Sequence, residues 1–208
     1  MVESRPYSDD QYPDALLKGD VLSRAFLGIE QQLKFAFPEK AFKHFLMPPS
    51  SNKMTWQKVQ AGKLSVALSA GAWIPESKSA NTYRGTLVFS VFLLVAHSRP
   101  RDLYLGTSEK WGVGILGMTA MAIGMLHGQT VPGFTEATMQ VVRTLYPAGI
   151  EWLDECTAVA ELEVHVSGVG LSEKLLCDQL PDFLRLAQKW TADGVAQQAV
   201  TLNVREDA

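Results

Sequence analysis

The stretch RGTLVFSVFLLVAHSR, residues 84–99, decides how this chain folds. Leu87, Phe89, Val91, Leu93 and Val95 fall on one face of an extended segment, and Val88, Phe92, Leu94 and Ala96 on the other. A half-exposed strand alternates apolar with polar residues, so two apolar faces predict a central strand covered on both sides. After a polar corner comes SEKWGVGILGMTAMAIGMLHG, residues 108–128, with no formal charge between Lys110 and His127. It reads as a buried helix, capped by Ser108 and closed by Gly128.

Working outward, Leu64, Val66 and Leu68 alternate with Ser65, Ala67 and Ser69 inside a β-like text over residues 54–73. The polar excursion PESKSANTYR, residues 75–84, is long for a hairpin turn and reads as a mobile loop. Further upstream, Asp20 caps a predicted helix over 21–37, whose stripe is Leu22, Ala25, Phe26, Ile29, Leu33 and Phe37. Pro38 interrupts it, and a second short helix is expected over 39–46. Residues 1–19 are polar, acidic and proline-containing, which predicts a flexible arm.

Downstream of the apolar helix, residues 139–146 alternate as a strand, Pro147-Ala148-Gly149 is a turn, and a short edge segment is expected over 150–154. In residues 157–167, Ala160, Leu162, Val164 and Val166 point one way and Glu161, Glu163 and His165 the other. That is a half-exposed antiparallel strand with a wet face, ended by Gly168 and Gly170. Residues 172–190 are helical in pattern, split by Pro181, and the last residues read as a loose strand or tail.

Strands here are not separated one by one by helices, so a doubly wound parallel sheet is disfavoured. The expected class is α+β: a mixed or antiparallel sheet flanked by helices, with an N-terminal arm and a C-terminal helical extension. The expected organisation is an arm over 1–19, one domain over 20–170, and a helix and tail over 171–208 packing on that domain or on a neighbour.

A chain of 208 residues with 47% hydrophobic and 20% charged residues has enough apolar mass for a real core. A net charge of −3 leaves no electrostatic footprint for nucleic acid. Cys156 and Cys177 make no disulfide framework and read as reduced core thiols. The N-terminus lacks the apolar core of a signal peptide, which points to cytoplasmic synthesis. The charge-free run of 16 residues from Trp111 to Leu126 is shorter than the roughly 20 needed to span a bilayer, so no membrane partner is expected.

Catalytic patterns are weak. Gly112, Gly114 and Gly117 fit GxGxxG, but a dinucleotide fingerprint needs those glycines directly after a strand. A dozen residues intervene here, so close helix packing is the better reading. His44, His97, His127 and His165 stand alone, without HxH, HxxxH or a cysteine pair. Cys156 lies beside Asp154 and Glu155, poor neighbours for a nucleophile. Glu161 and Glu163 read as a solvated strand face. No catalytic residue, metal ligand or cofactor is therefore assigned, and the chain is not expected to be an enzyme.

What remains points to assembly. The wet face carries Glu161, Glu163, His165 and Arg143, and the arm, the 75–84 loop and the C-terminal tail are appendages. The texts LGIEQQL (residues 27–33), LVFSVFLLVAHSRPR (87–101), GMLHGQ (124–129), VVRTLYPAGIEWL (141–153) and TAVAELEVHV (157–166), in this order, resemble the tail-terminator proteins of Mu-like and other long-tailed phages.

The resemblance covers roughly residues 20–168. It implies an α+β subunit forming a ring, typically a hexamer, at the head-proximal end of the tail tube in the virion, assembled in the host cytoplasm. Its partners would be further copies of itself, the tail tube protein and a head-completion or connector protein. The ring would stop tube polymerisation and offer a surface for head–tail joining, with no catalytic residues. On that reading, Arg84, Arg99 and Arg101 are expected to meet a neighbour or the tube, and Arg143, Glu161 and Glu163 to form an interface. Another tail tube or connector protein is the first alternative. A small-ligand enzyme using residues 112–117 is the second.

Overall fold

The computed structural model describes residues 20–48, 50–76, 84–109, 112–147, 153–170, 185–192 and 195–203. The chain opens with α1 (Asp20–Ala36), β1 (Lys43–Leu46), α2 (Lys53–Gln60), β2 (Leu64–Pro75) and β3 (Arg84–Ala96). Then come α3 (Pro100–Leu105), α4 (Ile115–Leu126), β4 (Thr138–Leu145) and β5 (Thr157–Gly170), and finally β6 (Arg185–Ala192) and β7 (Val195–Asn203). By contacts, Leu22–Gly170 forms one compact unit; Met1–Val21 with Leu171–Ala208 forms another.

The first unit holds a five-stranded sheet of order β1-β2-β3-β5-β4. Only the β1–β2 pair is parallel, with Lys43 opposite Ser65. The other neighbours run antiparallel, and β3 sits in the middle. The class is α+β with a mixed sheet.

The alternation of β3 sorts its residues as the sequence requires. Leu87, Phe89, Val91, Leu93 and Val95 are buried, opposite Val166, Val164, Leu162 and Ala160 of β5, which are buried too. Two helices cover this face. α4 packs over β3, β5 and β4. α1 sets Phe26 against Phe89 with ring centroids 6.1 Å apart, and Gln32 Nε2 of α1 donates to the Met125 carbonyl of α4 at 3.0 Å.

On the other face of β3, the described residues give helical cover at one end. There α2 adds Trp56 and Val59 to a cluster with Met47, Ala67, Leu94 and Val159. Trp56 meets Phe92 edge-on, at 5.0 Å and 87°. Toward the other end Val88 and Ser90 are half-buried.

Several local expectations are corrected. Residues 39–46 are a turn and then β1, not a helix, because pairing with β2 satisfies their backbone. Residues 53–60 are helical rather than β-like: the Asn52 side chain accepts the Thr55 N–H at 3.1 Å and starts the helix. Gly168 does not end β5 but sits within it at φ 77°, where Ser167 and Gly168 face the single residue Thr86 in a bulge. The expected edge segment at 150–154 lies largely outside the described residues; Leu153 and Asp154 belong to no strand.

The second unit contributes the antiparallel pair β6–β7, with Arg185 opposite Asn203. The helix expected over 172–190 is overturned for 185–190, which is strand; 171–184 lie outside the described residues, as does the arm over 1–19.

Candidate interaction surfaces

The polar face of β5, with its neighbour β4, brings together three of the six residues singled out in the sequence. Arg143 lies opposite Glu163 in register, and its Nη2 is 3.0 Å from Glu163 Oε2. The other carboxylate oxygen accepts from His165 Nε2 at 2.8 Å. The His165 hydrogen bond, and after it the nearby Arg143 charge, hold the Glu163 carboxyl below the usual glutamate range. Glu161 accepts from the Ser90 hydroxyl at 3.3 Å. β5 therefore displays a polar patch built on the linked Arg143, Glu163 and His165 side chains.

The other three lie elsewhere. Arg84 starts β3 and pairs with Glu136 at 3.2 Å, both side chains exposed. Arg99 precedes α3 and Arg101 is within it, both exposed. Arg84 and Arg99 flank opposite ends of a strand 13 residues long, which at about 3.3 Å per residue separates them by roughly 40 Å.

α4 is the second surface. Ile115, Met118, Thr119, Ala122 and Leu126 are buried, while Leu116 and Met121 are 43% and 45% exposed. Gly117, Ala120 and Gly124 are exposed beside them. A helix apolar all round is ordinarily buried all round; this one leaves an uncharged face open.

The structure also changes the account of the glycines. Helix α4 starts at Ile115, not near Ser108, so Gly112 and Gly114 precede it. A Cβ on Gly114 would strike the backbone of Gly106 and Tyr104, and one on Gly112 would strike Thr107. These glycines let two loop segments pack backbone to backbone. At Gly117 and Gly124 an added Cβ would meet nothing within 4 Å, so close helix packing does not explain them. α3 stands between β3 and the glycines, so the strand–turn–helix geometry of a dinucleotide site does not arise.

Each histidine has a local partner. His44 and His97 bond through Nε2 to the carbonyls of Phe37 and Val113, at 2.6 and 2.9 Å. His127 Nδ1 accepts the Val141 N–H at 3.1 Å. Among the described residues no three His, Cys, Asp or Glu side chains are grouped to hold a metal. Cys156 is exposed, not a core thiol, because it lies in the turn leading to β5; Cys177 lies outside the described residues. Among the described residues no helix is long and apolar enough to cross a membrane.

Sequence reasoning missed two features. One is the open face of α4, although its charge-free text was legible. The other is a cleft of about 400 Å³ between α3, the exit of β4 and the approach to β5, built from segments too far apart in the chain to be read together. No family model matches the chain, and no curated protein matches it.

Proposed function

We propose that this chain is a structural subunit of a long-tailed phage, forming a ring that caps the head-proximal end of the tail tube. The ordered texts that resemble tail terminators motivate the identity. The observation that carries the assembly reading is the uncharged, open face of α4, with Leu116 and Met121 more than two-fifths exposed. Contiguous exposed apolar surface on a soluble chain marks an interaction site.

In this reading the ring works by shape. Each subunit joint buries on the order of 800 Å² per partner, enough for a stable contact, and a head-to-tail joint closes into a ring when its rotation allows. The α4 face supplies apolar area for the joint between copies. The Arg143–Glu163–His165 patch supplies charges whose positions fix register and orientation. One ring face matches the last ring of tube protein and the other refuses a further one, leaving that surface to a head-completion protein.

The test is electron microscopy of tails assembled with and without the chain. Normal-length tails carrying a ring of it at the head-proximal end, and overlong tubes in its absence, are expected. Unchanged tails lacking the protein would dismiss the reading. Long tubes formed by the chain alone would make it a tube protein instead.

A further inference from the structure

We propose that the cleft between α3 and the approach to β5 docks an extended, proline-bearing basic segment of a partner protein. The ring reading is not required for this inference, which rests on the cleft's chemistry.

The floor is apolar. Leu103 of α3 and Ile115 at the start of α4 are buried there. Two aromatic rings stand at the cleft, Tyr104 on α3 and Tyr146 just beyond β4, 53% and 46% exposed. The cleft has a volume of about 400 Å³. It suits a chain in the polyproline conformation, whose prolyl rings lie on aromatic faces at little entropic cost.

Charge selects the rest of the segment. Among the described residues, the charged side chains lining the cleft are Asp154 and Glu155. Among the described residues neither carboxylate pairs with a cation. Asp154 is already held in place: its Oδ1 accepts the Cys156 N–H at 3.1 Å and the Thr157 hydroxyl at 2.6 Å. A fixed carboxylate beside tyrosine rings fits a lysine or arginine, with its stem along the ring and its head on the acid. Acidic peptides and nucleic acid are repelled by the same pair.

The test is selection of a displayed random dodecapeptide library on the full chain, followed by anisotropy titration of the enriched peptides after fluorescein labelling. Enriched sequences should combine proline with lysine or arginine. They should bind the wild type at least about tenfold more tightly, about 1.4 kcal/mol, than Tyr104→Ala or Glu155→Lys. Both residues are exposed in the free chain, and circular dichroism melting should be unchanged. If one of these variants does not fold, Tyr146→Ala replaces it. Failure to enrich any peptide, enrichment of peptides without basic residues, or binding indifferent to these substitutions would overturn the proposal.

Discussion

Arg143 and Glu163 face each other across the β4–β5 ladder, and the guanidinium reaches the carboxylate at 3.0 Å immediately beside a bulge in β4. His165 holds the same carboxylate from the next position on that face of β5. The ion pair therefore sits where the strand bends.

A pH dependence follows. The folded-state pKa of Glu163 is depressed, first by the His165 hydrogen bond and then by Arg143. Its contribution is present above the unfolded glutamate value and is lost as pH falls through the folded one. Glu163→Gln should lower stability at neutral pH by about 0.5 kcal/mol or less, since the pair is screened by solvent. The difference should vanish on the acid side of the ordinary glutamate range. Urea unfolding of both proteins across that range measures it; a gap that widens toward acid would contradict the assignment.

The glycines before and within α4 should respond in opposite directions. Gly114→Ala forces a methyl group into the backbone of Gly106 and Tyr104 and should cost about 1–3 kcal/mol or more. Gly117→Ala places the methyl in open space within a helix and should stabilise by about 0.5–1 kcal/mol. Thermal melts of the two variants should move to opposite sides of the wild type.

Trp56 closes the covered end of the second sheet face. It is buried and edge-on to Phe92, so Trp56→Ala should cost about 3–5 kcal/mol. Met54, two residues earlier on the same helix, is 68% exposed, and Met54→Ala should stay within about 0.5 kcal/mol. Denaturant midpoints of the pair compare the two directly.

Assembly is tested on α4. Met121→Lys puts a charge on the open apolar face without touching the buried stripe, so the subunit should keep its stability within about 0.5 kcal/mol. Rings should fail to form in the presence of tail tubes. Rings of normal yield with this variant, counted by electron microscopy, would remove α4 from the joint.

The sheet was legible where local pattern and tertiary fate agree. β3 is apolar on both faces, β5 alternates cleanly, and the helix before them has an apolar stripe, so centre and class could be read in advance. Residues 43–46 could not: four residues carry little pattern, and their extended form depends on the parallel edge of β2. The start of α4 was hidden because Ser108 is a good cap in isolation. Three glycines instead bind residues 104–107 and 112–114 together and delay the helix. Among the site residues, Arg143, Glu161 and Glu163 were readable as one strand face with its neighbour. Arg84 and Arg99 lie toward opposite ends of β3. The cleft is made by folding alone.

The central position of β3 also sets an order of events. Its pairing with β2 closes a short connection, from Pro75 to Gly85, whereas Ala96 must find Thr157, some sixty residues further on. Closing a loop of that length costs roughly 3–4 kcal/mol of chain entropy before any contact offsets it. The β2–β3 hairpin should therefore form early and wait, its long apolar edge unpaired, for β5 to arrive. During that interval the nascent chain is at its most vulnerable to joining the wrong strand, and the rate at which β5 docks governs how much protein reaches the native state.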